Sequence, residues 1–170
     1  MSRWRPPQPK SSPYITKPGL AALKKELKYL WRELRPEVVR ALSAAAAEGD
    51  RSENAEYIYR KKQLGEIDRR VRYLSKRVDE VQPVSGQPDN PDKVFFGARV
   101  TVDETIGDGQ LTTHCYWIVG ADEVEAKTNR ISIDSPLARA LLGQALESEV
   151  DVSTPDGTRS LVIIDIEYPG

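Results

Sequence analysis

Four carboxylates crowd one short stretch of the chain: Glu48, Asp50, Glu53 and Glu56 gather around Gly49. Carboxylate oxygens are hard donors, and Mg²⁺ often binds through only one or two of them while keeping its waters. Two divalent ions held close together hydrolyse a phosphodiester by activating water and relieving charge on the leaving oxygen. Asp50 and Glu53 stand three apart at the start of an expected helix, so they should share one face and be able to share a ligand. The same spacing has a structural explanation. Asp50 can cap the helix, with Glu53 three residues on completing a capping box, and acids suit a helix N-terminus electrostatically. The roles are compatible, because a cap occupies one oxygen and leaves others free.

Other chemistry is thinly supplied. There is one cysteine, Cys115, and one histidine, His114. A disulfide within the chain is excluded, which fits a reducing compartment. A structural zinc site needs about four Cys or His ligands, so no metal is expected in the free protein. No nucleophile motif accompanies His114, and no small-molecule substrate is expected. Cys115 and Trp117 should share a strand face opposite His114 and Tyr116, in ordinary core and surface roles.

Basic residues are more regular. Lys62, Arg69 and Lys76 recur every seven residues, as do Arg70 and Arg77, and Lys24, Lys28, Arg32 and Arg35 line the preceding segment. These stripes either contact the phosphates of a nucleic acid or form solvated flanks paired with Glu33, Glu66 and Asp68. Trp31, Tyr57, Tyr59 and Tyr73 read as packing residues, with Tyr57 best placed to touch nucleic acid. Arg51 either pairs with Glu48 or steers a phosphate; Ser52, Asn54 and Tyr57 complete the support of the turn.

The elements that must position these residues follow from apolar spacing. Leu20, Leu23, Leu27, Leu30 and Leu34 form a coiled-coil seam that Val38 and Leu42 continue, predicting a helix over 17–48. Thr16 is its candidate cap, with Pro18 in the first turn. Pro36 removes one backbone bond and presses on the carbonyl of Arg32; the helix either kinks there or breaks at Arg35. Ile58, Leu64, Ile67, Val71, Leu74, Val78 and Val81 give a second seam over 51–81. Two matching seams around Gly49 and Asp50 predict an antiparallel coiled-coil hairpin with the acids at its tip.

Around the hairpin the composition changes. Residues 1–15, with Arg3, Arg5, Lys10 and several prolines, read as a flexible tail, 16–82 as the hairpin and 83–93 as a Pro/Gly linker. Residues 94–170 read as a small α+β domain. Its expected parts are strands over 94–102 and 111–119, a helix over 137–142 capped by Ser135 and stopped by Gly143, and a closing hairpin turning at Pro155–Gly157. Charge divides likewise: residues 17–82 carry 16 basic and 11 acidic side chains, residues 83–170 carry 6 and 15. Different surfaces for different partners are implied. No apolar run spans a membrane and no secretory h-region is present, so a cytoplasmic location is expected.

The run GDRSENAEY (Gly49 to Tyr57) resembles the tip signature of Gre-family transcript-cleavage factors. LKYLWRELRPEV, EIDRRVRYLSK, KVFFGA and SIDSPLARALL resemble the GreB branch of that family. The resemblance implies a helical hairpin followed by an FKBP-like domain. It implies a protein that is not itself an enzyme: the hairpin enters the secondary channel of RNA polymerase and stimulates cleavage of the nascent RNA 3′ end there. Asp50 and Glu53 would assist polymerase-bound Mg²⁺, no cofactor being the protein's own, and the C-terminal domain would dock at the channel rim. Lys62, Arg69, Arg70 and Lys76 are the expected RNA contacts. The alternative is a channel-binding inhibitor without cleavage activity. The tail and a slightly enlarged Gly107–Gln110 turn depart from the family pattern.

Overall fold

In the computed structural model, residues 7, 9–50 and 53–169 are described. Leu20–Val81 forms one compact unit, and the residues up to Gly19 and from Gln82 onward form the other. The architecture is α+β. No helix among the described residues is long and apolar enough to cross a membrane.

The hairpin unit contains α1 (Lys17–Tyr29), a π-helical turn (Leu30–Leu34), α2 (Arg35–Ala46) and α3 (Ala55–Glu80). The helix neither breaks at Pro36 nor keeps α geometry through it. Pro36 cannot donate to the Arg32 carbonyl, and the chain widens to a π turn in which Arg35 N–H reaches the carbonyl of Leu30. The seam carries the same signal. Leu30, Leu34, Val38 and Leu42 follow at steps of four, without the three that a heptad would insert, and a π turn absorbs the extra residue. Val38 and Leu74 are fully buried, and Leu23, Ala45 and Ile67 nearly so. Arg35 pairs with Asp68 at 2.8 Å and Arg70 with Glu26 at 2.8 Å, with Asn54 against Ala45 nearer the tip, as antiparallel helices require. Ile58, expected in the seam, is 53% exposed.

The second unit is built on a five-stranded sheet in the order β5 (Arg130–Ser132), β4 (Gln110–Val119), β3 (Arg99–Ile106), β7 (Gly157–Glu167), β6 (Glu149–Thr154). Helix α4 (Pro136–Leu141) packs on it; Val100, Val102, Ile118, Leu161 and Ile163 meet Ala138 and Leu141 in the core. Ser135 caps α4 by accepting from Ala138 N–H, and Gly143, at φ +79°, ends it. The expected strand over 94–102 begins only at Arg99, because Phe95–Ala98 closes a turn and Gly97 has φ +86°.

Two segments expected to be unstructured are paired. Tyr14–Thr16 (β1) and Gln82–Val84 (β2) form a parallel pair, with Ile15 buried to 1%. The tail therefore ends before Tyr14 and the linker starts after Val84; the expected flexibility of residues 1–6 and 8 lies outside the described residues. Thr16 caps α1 by accepting from Gly19 N–H at 3.1 Å, and its own hydroxyl donates to Glu123. A Cβ at Gly19 would fall 2.2 Å from a Glu123 side-chain oxygen, so a larger residue there would displace that carboxylate from Thr16.

Candidate functional site at the hairpin tip

The helices of the hairpin stop short of one another. Helix α2 ends at Ala46, Glu48 N–H bonds back to the Ala45 carbonyl at 3.2 Å, and Gly49 at φ +123° turns the chain. Only glycine takes that conformation freely. Helix α3 starts at Ala55 and not at Arg51. Its N-cap is Asn54, whose Oδ1 accepts from Tyr57 N–H at 3.0 Å. The capping reading of Asp50 and Glu53 is therefore corrected: both precede the helix, and no helical spacing aligns them. Asn is as good a cap as Asp, and reversing the chain needs more residues than Gly49 and Asp50 provide.

Asn54 does a second job. Its Nδ2 donates to the Ala45 carbonyl at 2.7 Å. One amide thus satisfies an orphan donor of α3 and adds a second bond to a carbonyl in the last turn of α2, tying the two helix ends together. Ala45, 3% exposed, is small enough to let it approach. Tyr57 is half-buried beneath the turn.

Glu48, Asp50, Glu53 and Glu56 are all exposed. Glu56 is held by Arg60 at 2.8 Å, a bond that keeps the guanidinium more firmly protonated than usual. Among the described residues no three His, Cys, Asp or Glu side chains come together as a metal cluster. The donors at the tip are carboxylate oxygens, the type that a hard cation takes. Arg51 and Ser52, expected to support the tip, lie outside the described residues.

The basic stripes are unequal. Lys62 and Arg69 are exposed. Arg70 grips Glu26 through two bonds of 2.8 and 3.0 Å, and Lys76 stands 3.7 Å from Glu80. Arg77, expected beside Arg70 on an outer stripe, is buried to 6%. The paired acids are Glu26, Asp68 and Glu80, where Glu33, Glu66 and Asp68 were expected.

The aromatic residues also depart from expectation. Trp31, Tyr59 and Tyr73 are 55, 58 and 45% exposed, so they do not pack in the seam. Each lies under a guanidinium: Arg35 over Trp31 at 5.2 Å, Arg60 over Tyr59 at 5.5 Å, Arg70 over Tyr73 at 5.4 Å. The i,i+4 and i,i+3 spacing of Trp31–Arg35 and Arg70–Tyr73 was the available signal. On the basic side of the hairpin Lys24, Lys28 and Arg32 rim a groove floored by Leu27, Trp31 and Val71.

Comparison with known proteins covers both units. Residues 13–82 match the family "Transcription elongation factor, N-terminal", and residues 87–168 match "Transcription elongation factor, GreA/GreB, C-term". The chain is 58% identical over 168 residues to transcription elongation factor GreB of Xanthomonas axonopodis, covering 99% of this chain and 98% of that one. It is 52% identical over 169 residues to GreB of Pseudomonas aeruginosa, with 99% and 98% covered. GreB of Haemophilus influenzae is 54% identical over 157 residues, with 92% and 97% covered.

Proposed function

The chain belongs to the GreA/GreB family of transcription elongation factors, and from that premise we propose that it rescues backtracked or arrested RNA polymerase by stimulating the polymerase's own cleavage of the nascent RNA 3′ end. On this reading the protein is not itself an enzyme. Its hairpin enters the secondary channel, its C-terminal domain docks at the channel rim, and its partners are the polymerase and the RNA 3′ end.

One observation carries the reading: Asp50 and Glu53 are exposed in a non-helical turn at the free end of a slender hairpin. Helix α3 has 26 residues, which at about 1.5 Å each makes an arm of roughly 39 Å. The apolar seam and the Asn54 bridge hold that arm's end together while leaving the carboxylates outside.

Divalent ions in the polymerase supply water activation and charge relief at the scissile phosphodiester. Asp50 and Glu53 add oxygen donors to that site and orient the attacking water by accepting its hydrogen bonds. An added 1.4 kcal/mol of such stabilisation is already worth about tenfold in rate. Lys62 and Arg69, exposed along α3, guide the extruded RNA by its phosphates; Arg70 and Lys76 join them only by exchanging their present carboxylate partners.

The test is a stalled elongation complex with and without the protein, scored for shortened RNA and restart. Asp50→Asn with Glu53→Gln should still bind polymerase and lose stimulation of cleavage. Full cleavage by that variant removes the carboxylates from the mechanism. Binding without cleavage by the unaltered chain would identify an occluding inhibitor instead. Charge reversal at Lys62 and Arg69 should impair rescue of long backtracks more than short ones; an equal effect on both argues against guidance.

A further inference from the structure

We infer that the outer face of the C-terminal sheet carries a docking site for an acidic peptide segment of a partner protein, built by Arg99, Trp117 and Arg130. The three form one rung across neighbouring strands. Arg99 of β3 lies directly opposite Trp117 of β4, and Trp117 directly opposite Arg130 of β5. Directly opposed residues project to the same face. The core occupies the other face, where Val100, Tyr116 and Ile118 are buried.

The rung is pre-organised. The guanidinium groups of Arg99 and Arg130 lie 5.0 and 4.9 Å from the centroid of the indole, within cation–π range. The indole N–H donates to the Gly97 carbonyl at 3.1 Å, fixing the ring that orients both. Trp117, the two arginines, Cys115 and Lys127 line a concavity of about 500 Å³. Three of the six basic residues in 83–170 therefore converge on one spot, in a segment that carries 15 acids.

The cations have work left to do. Among the described residues neither Arg99 nor Arg130 has an ion-pair partner. The Nε of Arg130 is shut off from solvent with no hydrogen-bond partner. A guanidinium already stripped of part of its water binds an anion more strongly than a fully hydrated one, and its planar fork matches a carboxylate in two bonds. Arg and Trp in a shallow recess are the residue types that dominate protein–protein binding energy.

The surroundings select a short acidic peptide over nucleic acid. Glu167 lies directly opposite Arg99 on β7, and Glu125 pairs with Arg130 through the backbone. A phosphate track running past the recess would cross these acids, whereas one or two carboxylates fit between them. Both guanidinium groups already lie over the indole, so it offers no bare platform to a base.

The experiment follows the Trp117 indole resonance of the full chain by NMR, assigned by its loss in W117F. The probes are a short Glu-rich peptide with blocked ends and a single-stranded oligoribonucleotide of similar length. The peptide should move the resonance saturably. R99A/R130A should weaken binding by about tenfold or more, with the Ile118 amide unshifted as the check on folding. R99K/R130K, which keeps the charge and loses the fork, should fall between. The hairpin variant D50N/E53Q should bind the peptide like the unaltered chain, so this site and the tip are tested separately. An absent or non-saturable shift, an affinity unchanged in R99A/R130A, or tighter binding of the oligoribonucleotide at this resonance would each overturn the inference.

Discussion

The hairpin and the sheet domain solve the same burial problem with different geometry. Two helices share one line, so among the described residues the hairpin fully buries only Val38 and Leu74 of its large side chains, and Trp31 and Tyr73 stay outside beneath their guanidinium groups. A sheet covered by a helix shares a face. The C-terminal domain accordingly hides Val94, Val100, Val102, Ile118, Leu141, Leu161 and Ile163 completely, or within 2% of it. A line of contact resists bending less than a face does. The position of the hairpin tip therefore depends on directed bonds such as those of Asn54, while the sheet domain depends on packing, with one polar network at its margin.

The sharpest way to break this contrast compares two fully buried residues. Ile163→Ala should destabilise the sheet domain by about 2–5 kcal/mol, and Leu74→Ala the hairpin toward the low end of that range, because a two-helix seam collapses onto a void more readily. Urea midpoints read by intrinsic fluorescence and by far-UV dichroism respectively measure both, and a larger loss for Leu74→Ala refutes the contrast. Next in size, Asn54→Ala removes a cap and one of the two hydrogen bonds that the Ala45 carbonyl accepts, together about 1–2 kcal/mol. Asn54→Asp keeps the acceptor and loses the donor, so its melting temperature should lie between the two.

A pH experiment probes the sheet's polar margin. Arg159 grips Glu104 through two bonds of 2.7 Å, and His114 stands 3.2 Å away. These partners, Arg159 foremost, hold the Glu104 carboxyl below the usual range against the opposing effect of its burial. A carboxyl lowered in the folded state stabilises above its unfolded pKa, so this contribution should fade as pH drops through about 4 and below. Glu104→Gln should be less stable at neutral pH and flatter in its acid dependence; an unchanged acid profile would show the network to be inert. Smallest of all, Glu26→Gln breaks an exposed ion pair with Arg70 and should change hairpin stability by only about 0.2–1 kcal/mol.

Much of this was legible because it depends on local spacing. The leucine seam announces a paired helix, Ser135-Pro136 and Gly143 bracket α4, and Gly157 marks the last hairpin. The π turn was not legible: Pro36 predicts a kink or a break of the helix, and the run of four-residue steps through Leu34 and Val38 reads as an ordinary continuation of the seam. The helix start was not, because Asp50 and Asn54 are equally good caps and nothing local says how many residues the reversal needs. Nor were β1 and β2, whose short segments make sense only as a pair brought together from distant parts of the chain.

The composition of the tip, the seam that carries it and the α+β division of the chain follow from residue type and periodicity. Folding adds that Asn54 bridges the two helix ends, that Arg77 is buried while Trp31 is exposed, and that Arg99, Trp117 and Arg130 form one rung. Those facts depend on which strands and helices become neighbours, and that is set by the simultaneous burial of residues far apart in the chain.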